Sequence, residues 1–389
     1  MVIYICFKCD LMRIFYGFFA LLTILTACQP ATPGQQASVQ DSTRTTTPKP
    51  APAVYYKRLK GTVASQPVTM HLIKRGPAAF EGWYAYDKQG IPIQLFHNTE
   101  DTVQLSFSEW GTPEGGDNTF KGTLTDDGAY KGTWSGNNKT FDFDLKEELT
   151  GAVLFDVFTI SDSALLFPAN PKSPLGVASS TAVWPVGGAD EAALAAVRKA
   201  LTPKDVPEDP EQIVRQPVAS FLHEYNATHD EVDTNDLKKG AGASWNWDAQ
   251  HSVRIVWNAY PLVAFEISDY AYTGGAHGNH GSSFTVVDLA RKKQLGLDDV
   301  FKPGYKAVLG TALENSFRKK YNVPAGEPLD KQYLFDKHIA PNDNFFVTDK
   351  GVVFCYTPYE IAAYALGQIT LFVPFGDVKT HVNEAYLTK

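Results

Sequence analysis

The stretch DYAYTGGAHGNHGSS, from Asp269 to Ser283, is the centre of the predicted fold. Four glycines and two histidines fall within eight of its residues, between a strand-like run from Ala259 to Tyr272 and another from Phe284 to Leu289. The pattern predicts two strands joined by a loop of about ten residues. A two-residue turn is enough to close a hairpin, so a loop of about ten residues indicates either a bulged corner or a surface shaped for a partner.

The sequence around this hairpin predicts an α+β domain over residues 150–389, with helices packed on an antiparallel sheet. One helix has apolar and aromatic residues four apart from Tyr305 to Tyr321, a spacing that gives it a single apolar face. A proline, Pro217, is expected to kink the second helix or delay its start. The other predicted helices cover 192–201, 211–226 and 375–386, and the other predicted strands cover 153–160, 164–167, 252–258, 344–348, 351–357 and 368–373.

Residues 54–148 alternate apolar and polar side chains almost throughout, which predicts a small all-β barrel or sandwich of roughly eight strands. Three segments repeat an aromatic residue, a glycine and a large apolar residue at every second position: Phe80 to Tyr84, Phe120 to Leu124 and Tyr130 to Trp134. A central glycine lets a neighbouring ring lie on bare backbone and relieves crowding where strands curl. The repeat therefore favours a closed meander.

The aromatic residues of this region allow two interpretations. Trp and Tyr stack on sugar rings, so an exposed set would indicate carbohydrate binding. The same residues also fill small β cores. The candidates for either role are Trp83, Tyr84, Tyr86, Trp110 and Trp134.

The N-terminus predicts export and lipidation. Arg13 precedes about a dozen mostly apolar residues, which are too few to span a bilayer and have the form of a signal-peptide core. The run ends in Leu-Thr-Ala-Cys28, which resembles the bacterial lipoprotein signal, with Cys28 as the lipidated residue. An ordinary signal peptide ending by chance in cysteine is the alternative. Met12 is a more typical start than Met1, so residues 1–11 are expected to be a misassigned start.

Residues 28–53 are rich in Pro, Thr, Gln, Ser and Ala, so they cannot bury enough apolar surface to fold and predict a disordered tether. Gln29 beside the lipidated cysteine fits the pattern of outer-membrane lipoproteins in Gram-negative cells, whereas in a Gram-positive cell the same signal would mean the outer leaflet of the only membrane. We therefore expect an exported protein, anchored to the outer membrane through Cys28. Only Cys355 then remains in the folded part, within a run of apolar residues, where it is expected to be buried rather than nucleophilic.

The net charge of −8 excludes one class of partner. Nucleic-acid binding needs clustered Lys and Arg, and this sequence has no basic run longer than three residues. A basic protein partner, by contrast, would be attracted. No pattern in the sequence points to a cofactor.

Two segments resemble a known family. Tyr272 to Gly278, with the segment from Asp288 to Phe301, and the run YTPYEIAAYALG from Tyr356 to Gly367 are similar to the extracellular domain of the lysozyme-sensing anti-sigma factor. They also resemble domains that precede some peptidoglycan deacetylases. The resemblance covers residues 150–389 and leaves out the predicted barrel.

The resemblance implies a binding module rather than an enzyme, with lysozyme or a peptidoglycan-related ligand as partner. We assign no segment to sigma-factor binding or deacetylation, so we expect binding without signalling. The expected ligand-binding residues are Tyr272, Gly274, Gly275, His277, His280, Tyr356, Pro358, Tyr359, Glu360 and Tyr364.

Other interpretations of these residues remain open. His277 and His280, with Asp269 or Asp288, could build a metal site, but their spacing suits no common site, so none is assigned. The histidines could instead hold the loop in shape, and Glu360 could satisfy the turn after Pro358. A cell-wall hydrolase and a structural protein whose β domain grips glycans are the alternative functions.

Overall fold

The structure, a computed structural model, describes residues 54–109, 118–170, 172–232 and 241–387. The signal peptide, Cys28, the tether and Trp110 lie outside these residues. None of the described helices is both long enough and apolar enough to cross a membrane.

Eight antiparallel strands close into a barrel, which confirms the all-β prediction. Closure comes from pairing of the first strand with the last, for example Gly61 with Leu145. The interior is filled by side chains such as Phe107, Phe120 and Tyr130. The strands are β1 (Tyr55–Val63), β2 (Gln66–Gly76), β3 (Ala79–Tyr86), β4 (Ile93–His97), β5 (Gln104–Glu109), β6 (Thr119–Leu124), β7 (Ala129–Gly136) and β8 (Lys139–Glu147).

The glycine repeat has the predicted effect inside the barrel. Gly122 and Gly132 lie opposite each other on β6 and β7. A Cβ on Gly122 would lie 2.3 Å from the carbonyl oxygen of Lys131 and 2.7 Å from the ring of Phe143. Real Cβ atoms do not approach so closely, so only glycine allows these strands to pack at this curvature.

A six-stranded sheet follows the barrel, in the order β14-β13-β12-β11-β10-β9. The strands are β9 (Leu154–Leu165), β10 (Leu175–Gly187), β11 (Asp248–Ala259), β12 (Leu262–Tyr272), β13 (Asn279–Asp288) and β14 (Lys293–Gln294). β10 was not predicted, and its pairing with β11 is parallel, so the expected purely antiparallel sheet was wrong in this pair. The physical reason is that two helices lie between β10 and β11, and a long crossover returns the chain in the same direction.

Those two helices are α1 (Glu191–Leu201) and α2 (Pro210–Ala227). Asp190 caps α1 by accepting a hydrogen bond from the backbone N–H of Ala193. Asp209 caps α2 in the same way, and Pro210 occupies its first turn. Pro217 lies inside α2 and does not delay its start. The α2 side chains Val218 and Leu222 pack on Ala178 of β10.

The C-terminal part adds two helices, α3 (Leu297–Val300) and α4 (Tyr305–Tyr321), and a three-stranded sheet of β15 (Phe345–Val347), β16 (Gly351–Tyr356) and β17 (Ile369–Pro374). The predicted stripe of α4 is confirmed, since Leu309, Leu313 and Phe317 are fully buried. The predicted closing helix is wrong. Two short 3-10 segments, Phe375–His381 and Glu384–Tyr386, replace it, because Val378 has non-helical backbone angles inside the first and Val382, between the two, is extended and pairs with Phe301.

The barrel packs directly on the six-stranded sheet, and both belong to one compact unit, Ala51–Lys389. Trp83 of β3 points out of the barrel and packs on Phe284, with ring centroids 6.5 Å apart. Its indole N–H donates to Glu266 at 3.1 Å. Arg254 bridges Glu81 of the barrel and Glu266 of the sheet. This buried junction fixes the barrel to the strands that lead to the glycine loop.

Candidate functional site

The glycine loop is shorter than predicted. β12 ends at Tyr272 and β13 begins at Asn279, so the loop has six residues, 273–278, rather than about ten. His280 therefore lies in β13, opposite Tyr270. Gly281 continues the ladder opposite Asp269, because a glycine weakens a strand without preventing its pairing.

The loop needs its glycines for two different reasons. Gly274 and Gly275 have φ angles of +95° and +87°, which side chains rarely adopt. Gly278 lies so close to the Tyr270 ring that a Cβ would be 2.5 Å from it. Tyr272 closes the turn by donating its hydroxyl to the Gly275 carbonyl at 3.1 Å.

The glycine loop and the run after β16 meet in space, although about 80 residues separate them. The Tyr364 hydroxyl donates to the Gly278 carbonyl at 2.7 Å. The His277 ring stacks on the Tyr364 ring with centroids 4.1 Å apart, and the His280 ring meets it edge-on at 5.9 Å. Tyr359 lies 5.5 Å from Tyr364. We call these four side chains, His277, His280, Tyr359 and Tyr364, the aromatic surface.

Tyr359 is the most unusual residue of the aromatic surface. Its φ angle is +70°, and its side chain is 58% exposed. A bulky residue in this region of backbone space is strained, and such strain persists where the surroundings impose it, often at functional sites. Glu360 helps to impose it, since one carboxylate oxygen accepts the Thr357 N–H at 2.8 Å and the other accepts from Asn342 at 2.8 Å. Glu360 therefore satisfies the turn after Pro358.

Tyr356 does not belong to this surface, contrary to the prediction. It is 1% exposed and donates its hydroxyl to the Ala340 carbonyl at 2.7 Å. Burial, with Glu360 and Cys355 nearby, raises the pKa of its hydroxyl. Strand β16 is covered on both faces, so alternation along it does not bring any side chain to the surface. Tyr356 thus supports the segment from behind.

Two concave regions flank the ends of β12 and β13. The first, which we call the α2 cleft, has a volume of about 540 Å³ and lies between α2 and strands β10 to β13. The second has a volume of about 460 Å³ and is lined by Asp343, Asn342, Ser283 and Glu360. Asp269, Gly281 and Thr357 line both. The aromatic surface is therefore bordered by two depressions.

Sequence reasoning identified His280 but missed the second histidine that lines the α2 cleft. His251 lies on β11 opposite Asp269, and its Nδ1 is 2.7 Å from the carboxylate. Only strand register brings the two together, so no local motif signals the pair.

The structure bears on two hypotheses from the sequence, a metal site at the histidines and a buried Cys355. Among the described residues, no group of three or more His, Cys, Asp and Glu side chains could hold a metal ion. Cys355 is buried, as predicted, and burial raises the pKa of its thiol, so it stays protonated.

The barrel aromatics lie mostly in cores. Tyr84 is inside the barrel, and Trp83 is buried at the junction with the sheet. Trp134 is partly buried and donates its N–H to Glu109 at 2.6 Å. These contacts favour the core interpretation over sugar stacking for Trp83 and Tyr84.

Comparison with known proteins points to the same two segments. Residues 298–376 match a family model described as a protein of unknown function, DUF3298. Residues 183–280 match a model described as deacetylase PdaC. The C-terminal part of this chain carries a DUF3298-like domain that resembles PdaC. The predicted resemblance to domains of peptidoglycan deacetylases is confirmed, and the aromatic surface forms where the two matched segments meet.

Individual relatives are distant. The chain is 25% identical over 138 residues to the peptidoglycan-N-acetylmuramic acid deacetylase PdaC of Bacillus subtilis (strain 168). The match covers 35% of this chain and 29% of that relative. A crystal structure of a DUF3298 family member from Bacteroides fragilis NCTC 9343 is 26% identical, with a TM-score of 0.54, and the match covers 60% of this chain and 95% of that one. A DUF3298 family protein from Pseudomonas aeruginosa PAO1 is 19% identical with a TM-score of 0.41, over 62% of this chain and 100% of that one.

Proposed function

We propose that this protein is a non-enzymatic binding module of the bacterial cell envelope, anchored to the outer membrane through Cys28, that contacts a peptidoglycan-type ligand with its aromatic surface. One observation carries the proposal. Two segments that match DUF3298 and PdaC models converge on exposed aromatic side chains, one of which, Tyr359, is held in a strained conformation.

The side chains of the aromatic surface suit a ligand with both apolar and polar faces. Tyr rings present a large apolar area together with a hydroxyl, and they lose little conformational freedom on binding. His277 adds a flat ring and a hydrogen-bonding nitrogen beside Tyr364. The second depression adds the hydroxyl groups of Ser283 and Thr357 and the amide of Asn342, whose nitrogen already donates to Cys355 and Glu360. Sugars and short peptides have this mixed character.

A basic protein such as lysozyme is the second candidate ligand. Asp269, Asp343 and Glu360 are exposed around the second depression, and the chain carries a net charge of −8. An acidic rim attracts a basic partner and speeds association, and salt weakens this effect. Binding to lysozyme should therefore fall steeply with ionic strength, whereas binding to a neutral glycan should not.

The test compares the full chain with a Tyr359→Ala variant in a co-sedimentation assay with purified peptidoglycan sacculi and in calorimetric titration with hen-type lysozyme at low and high salt. Loss of a central aromatic contact costs about 2 kcal/mol or more, so we expect affinity to fall at least about thirtyfold. A Tyr364→Phe variant, which loses only the bond to Gly278, should lose less.

The matched control is Tyr260→Ala, which removes a similarly exposed tyrosine from the turn before β12, at the end of that strand remote from the glycine loop. It should bind like the unchanged protein. Equal binding by the Tyr359→Ala variant would remove the aromatic surface from consideration. If neither sacculi nor lysozyme bind, a cell-wall hydrolase becomes the better reading, and loss of sacculus-degrading activity in a His277→Ala variant would support it.

A further inference from the structure

The α2 cleft lies beside the aromatic surface and shares His280 with it, but other lining residues, such as Phe221 and Gln250, have no role so far. Its volume of about 540 Å³ is in the range of small-ligand sites, roughly 300 to 1,000 Å³. We propose that the α2 cleft binds the glycan part of peptidoglycan, as an uncharged oligosaccharide of N-acetylhexosamine units. This inference rests on the proposed function and names the part of the polymer that the protein recognises.

One wall of the cleft includes an aromatic side chain that belongs to a larger aromatic cluster. Phe221 of α2 lines it, and the Trp247 ring lies 6.4 Å from the Phe221 ring. Trp245 stacks on Trp247 with centroids 6.3 Å apart and ring planes 12° apart. Both tryptophans are partly exposed and extend the aromatic cluster that begins at Phe221 beyond the residues that line the cleft. Flat aromatic faces of this kind suit the apolar faces of pyranose rings.

Trp247 also has a hydrogen-bond donor without an acceptor. Within the part of the chain that the structure describes, its indole N–H is buried and has no acceptor. A Cβ built on Gly274 would lie 3.8 Å from this nitrogen, so the glycine loop passes directly beside it. An unpaired buried donor is costly, and this one lies beside the cleft, since neither Trp247 nor Gly274 is among the residues that line it.

The floor of the cleft is polar and lacks fixed positive charge. It contains Gln250, His251, Asp269 and His280, and none of the described residues that line the cleft is Lys or Arg. Nδ1 of His251 is hydrogen-bonded to the Asp269 carboxylate, so Nε2 is the ring nitrogen that can bond to a ligand. Amide and imidazole groups pair well with sugar hydroxyl and acetamido groups. Asp269 and Glu224 disfavour phosphate or carboxylate ligands, which points to a neutral glycan.

The experiment is a calorimetric titration of the purified full chain with chitotetraose, a soluble N-acetylglucosamine tetramer. We expect saturable binding that weakens at least about tenfold in Phe221→Ala, which removes the stacking face, and about tenfold in Gln250→Ala, which removes a floor amide. Phe221→Tyr keeps the ring and should stay within about threefold of the unchanged protein. The Tyr260→Ala variant is the control for an aromatic residue remote from the cleft, and thermal unfolding of each variant verifies folding.

A second titration uses a free stem tripeptide of peptidoglycan. Heat from the tripeptide that disappears in Phe221→Ala, with none from chitotetraose, would assign the cleft to peptide and overturn the inference. Sacculus binding without chitotetraose binding would also overturn it while leaving the proposed function intact. Absence of binding to both sacculi and chitotetraose would count against the two proposals together. Because Gln250→Ala changes an exposed residue, it keeps the test decisive even if Phe221→Ala fails to fold.

Discussion

Replacing Arg254 by methionine should destabilise the protein by about 3 kcal/mol, because the side chain joins two carboxylates inside the barrel–sheet junction. Its Nη1 lies 3.1 Å from Glu81 and its Nε lies 3.2 Å from Glu266. Burial lowers the pKa of the guanidinium, but Glu266 and Glu81 outweigh this effect and raise it overall. Arg254→Met keeps the apolar stem and leaves the two carboxylates without their shared cation.

The expected loss of stability depends on which contacts each carboxylate keeps when Arg254 is removed. Breaking a buried ion pair by removing one partner typically costs about 3 to 5 kcal/mol. Glu81 keeps Arg75 at 3.1 Å, and Glu266 keeps hydrogen bonds from Trp83 and Ser282. Glu266 is only 1% exposed, however, so its charge remains uncompensated. The retained contacts place the expected loss near about 3 kcal/mol, the lower end of that range.

The measurement is urea unfolding followed by circular dichroism, with the free energy compared at an unchanged slope. A second variant, Arg254→Met with Glu266→Gln, removes the uncompensated charge and should be more stable than Arg254→Met alone. Lys131→Met breaks an ion pair at 2.8 Å whose partners are both 61% exposed, so it should change stability by less than about 0.5 kcal/mol. An Arg254→Met loss as small as that of Lys131→Met would refute the reasoning.

Two further predictions concern the barrel. Burial, with Arg58 and Lys60 nearby, lowers the pKa of His71 to about 3, so between pH 6.5 and 3 the unfolded chain binds a proton that the folded protein excludes. The free energy of unfolding should therefore fall as the pH drops below about 6.5. The fall should be steeper in the unchanged protein than in a His71→Gln variant, by up to about 1.4 kcal/mol per pH unit. Unfolding measured at several pH values tests this. Gly122→Ala should lower the free energy of unfolding in urea by about 1 to 3 kcal/mol, because the added Cβ would overlap the Lys131 carbonyl. Gly376→Ala should be nearly neutral, because its added Cβ would meet no atom within 4 Å other than those of its chain neighbours. A neutral Gly122→Ala would show that the strands can separate there at little cost.

Local sequence patterns predicted those parts of the fold in which neighbours along the chain determine the structure. Alternation and the glycine repeat identified the barrel, and spacing of four identified α4. Both segments of the aromatic surface were found as motifs, and the structure brings them together through Tyr364 and Gly278. Their ligand stays a prediction.

Long-range pairing accounts for what the sequence could not reveal. β10 contains small residues and Pro185, and its parallel partner β11 begins more than 60 residues after β10 starts. The pair of His251 and Asp269 depends on the register between β11 and β12. Tyr356 was assigned to the surface by the family resemblance, yet packing covers both faces of its strand. In each case the deciding contact is tertiary.

Trp83 illustrates the same point and links the barrel to the site. Alternation places it outside the barrel, and only the whole structure shows that the sheet covers this outer face. Glu266, which accepts its N–H, also accepts the hydroxyl of Ser282, the residue after Gly281 of the α2 cleft. The barrel is therefore bonded, through one carboxylate, to β13, one of the strands that form the floor of the cleft. Because Ser282 would lose a charged acceptor, Glu266→Gln should weaken ligand binding as well as stability, although Glu266 does not line either depression.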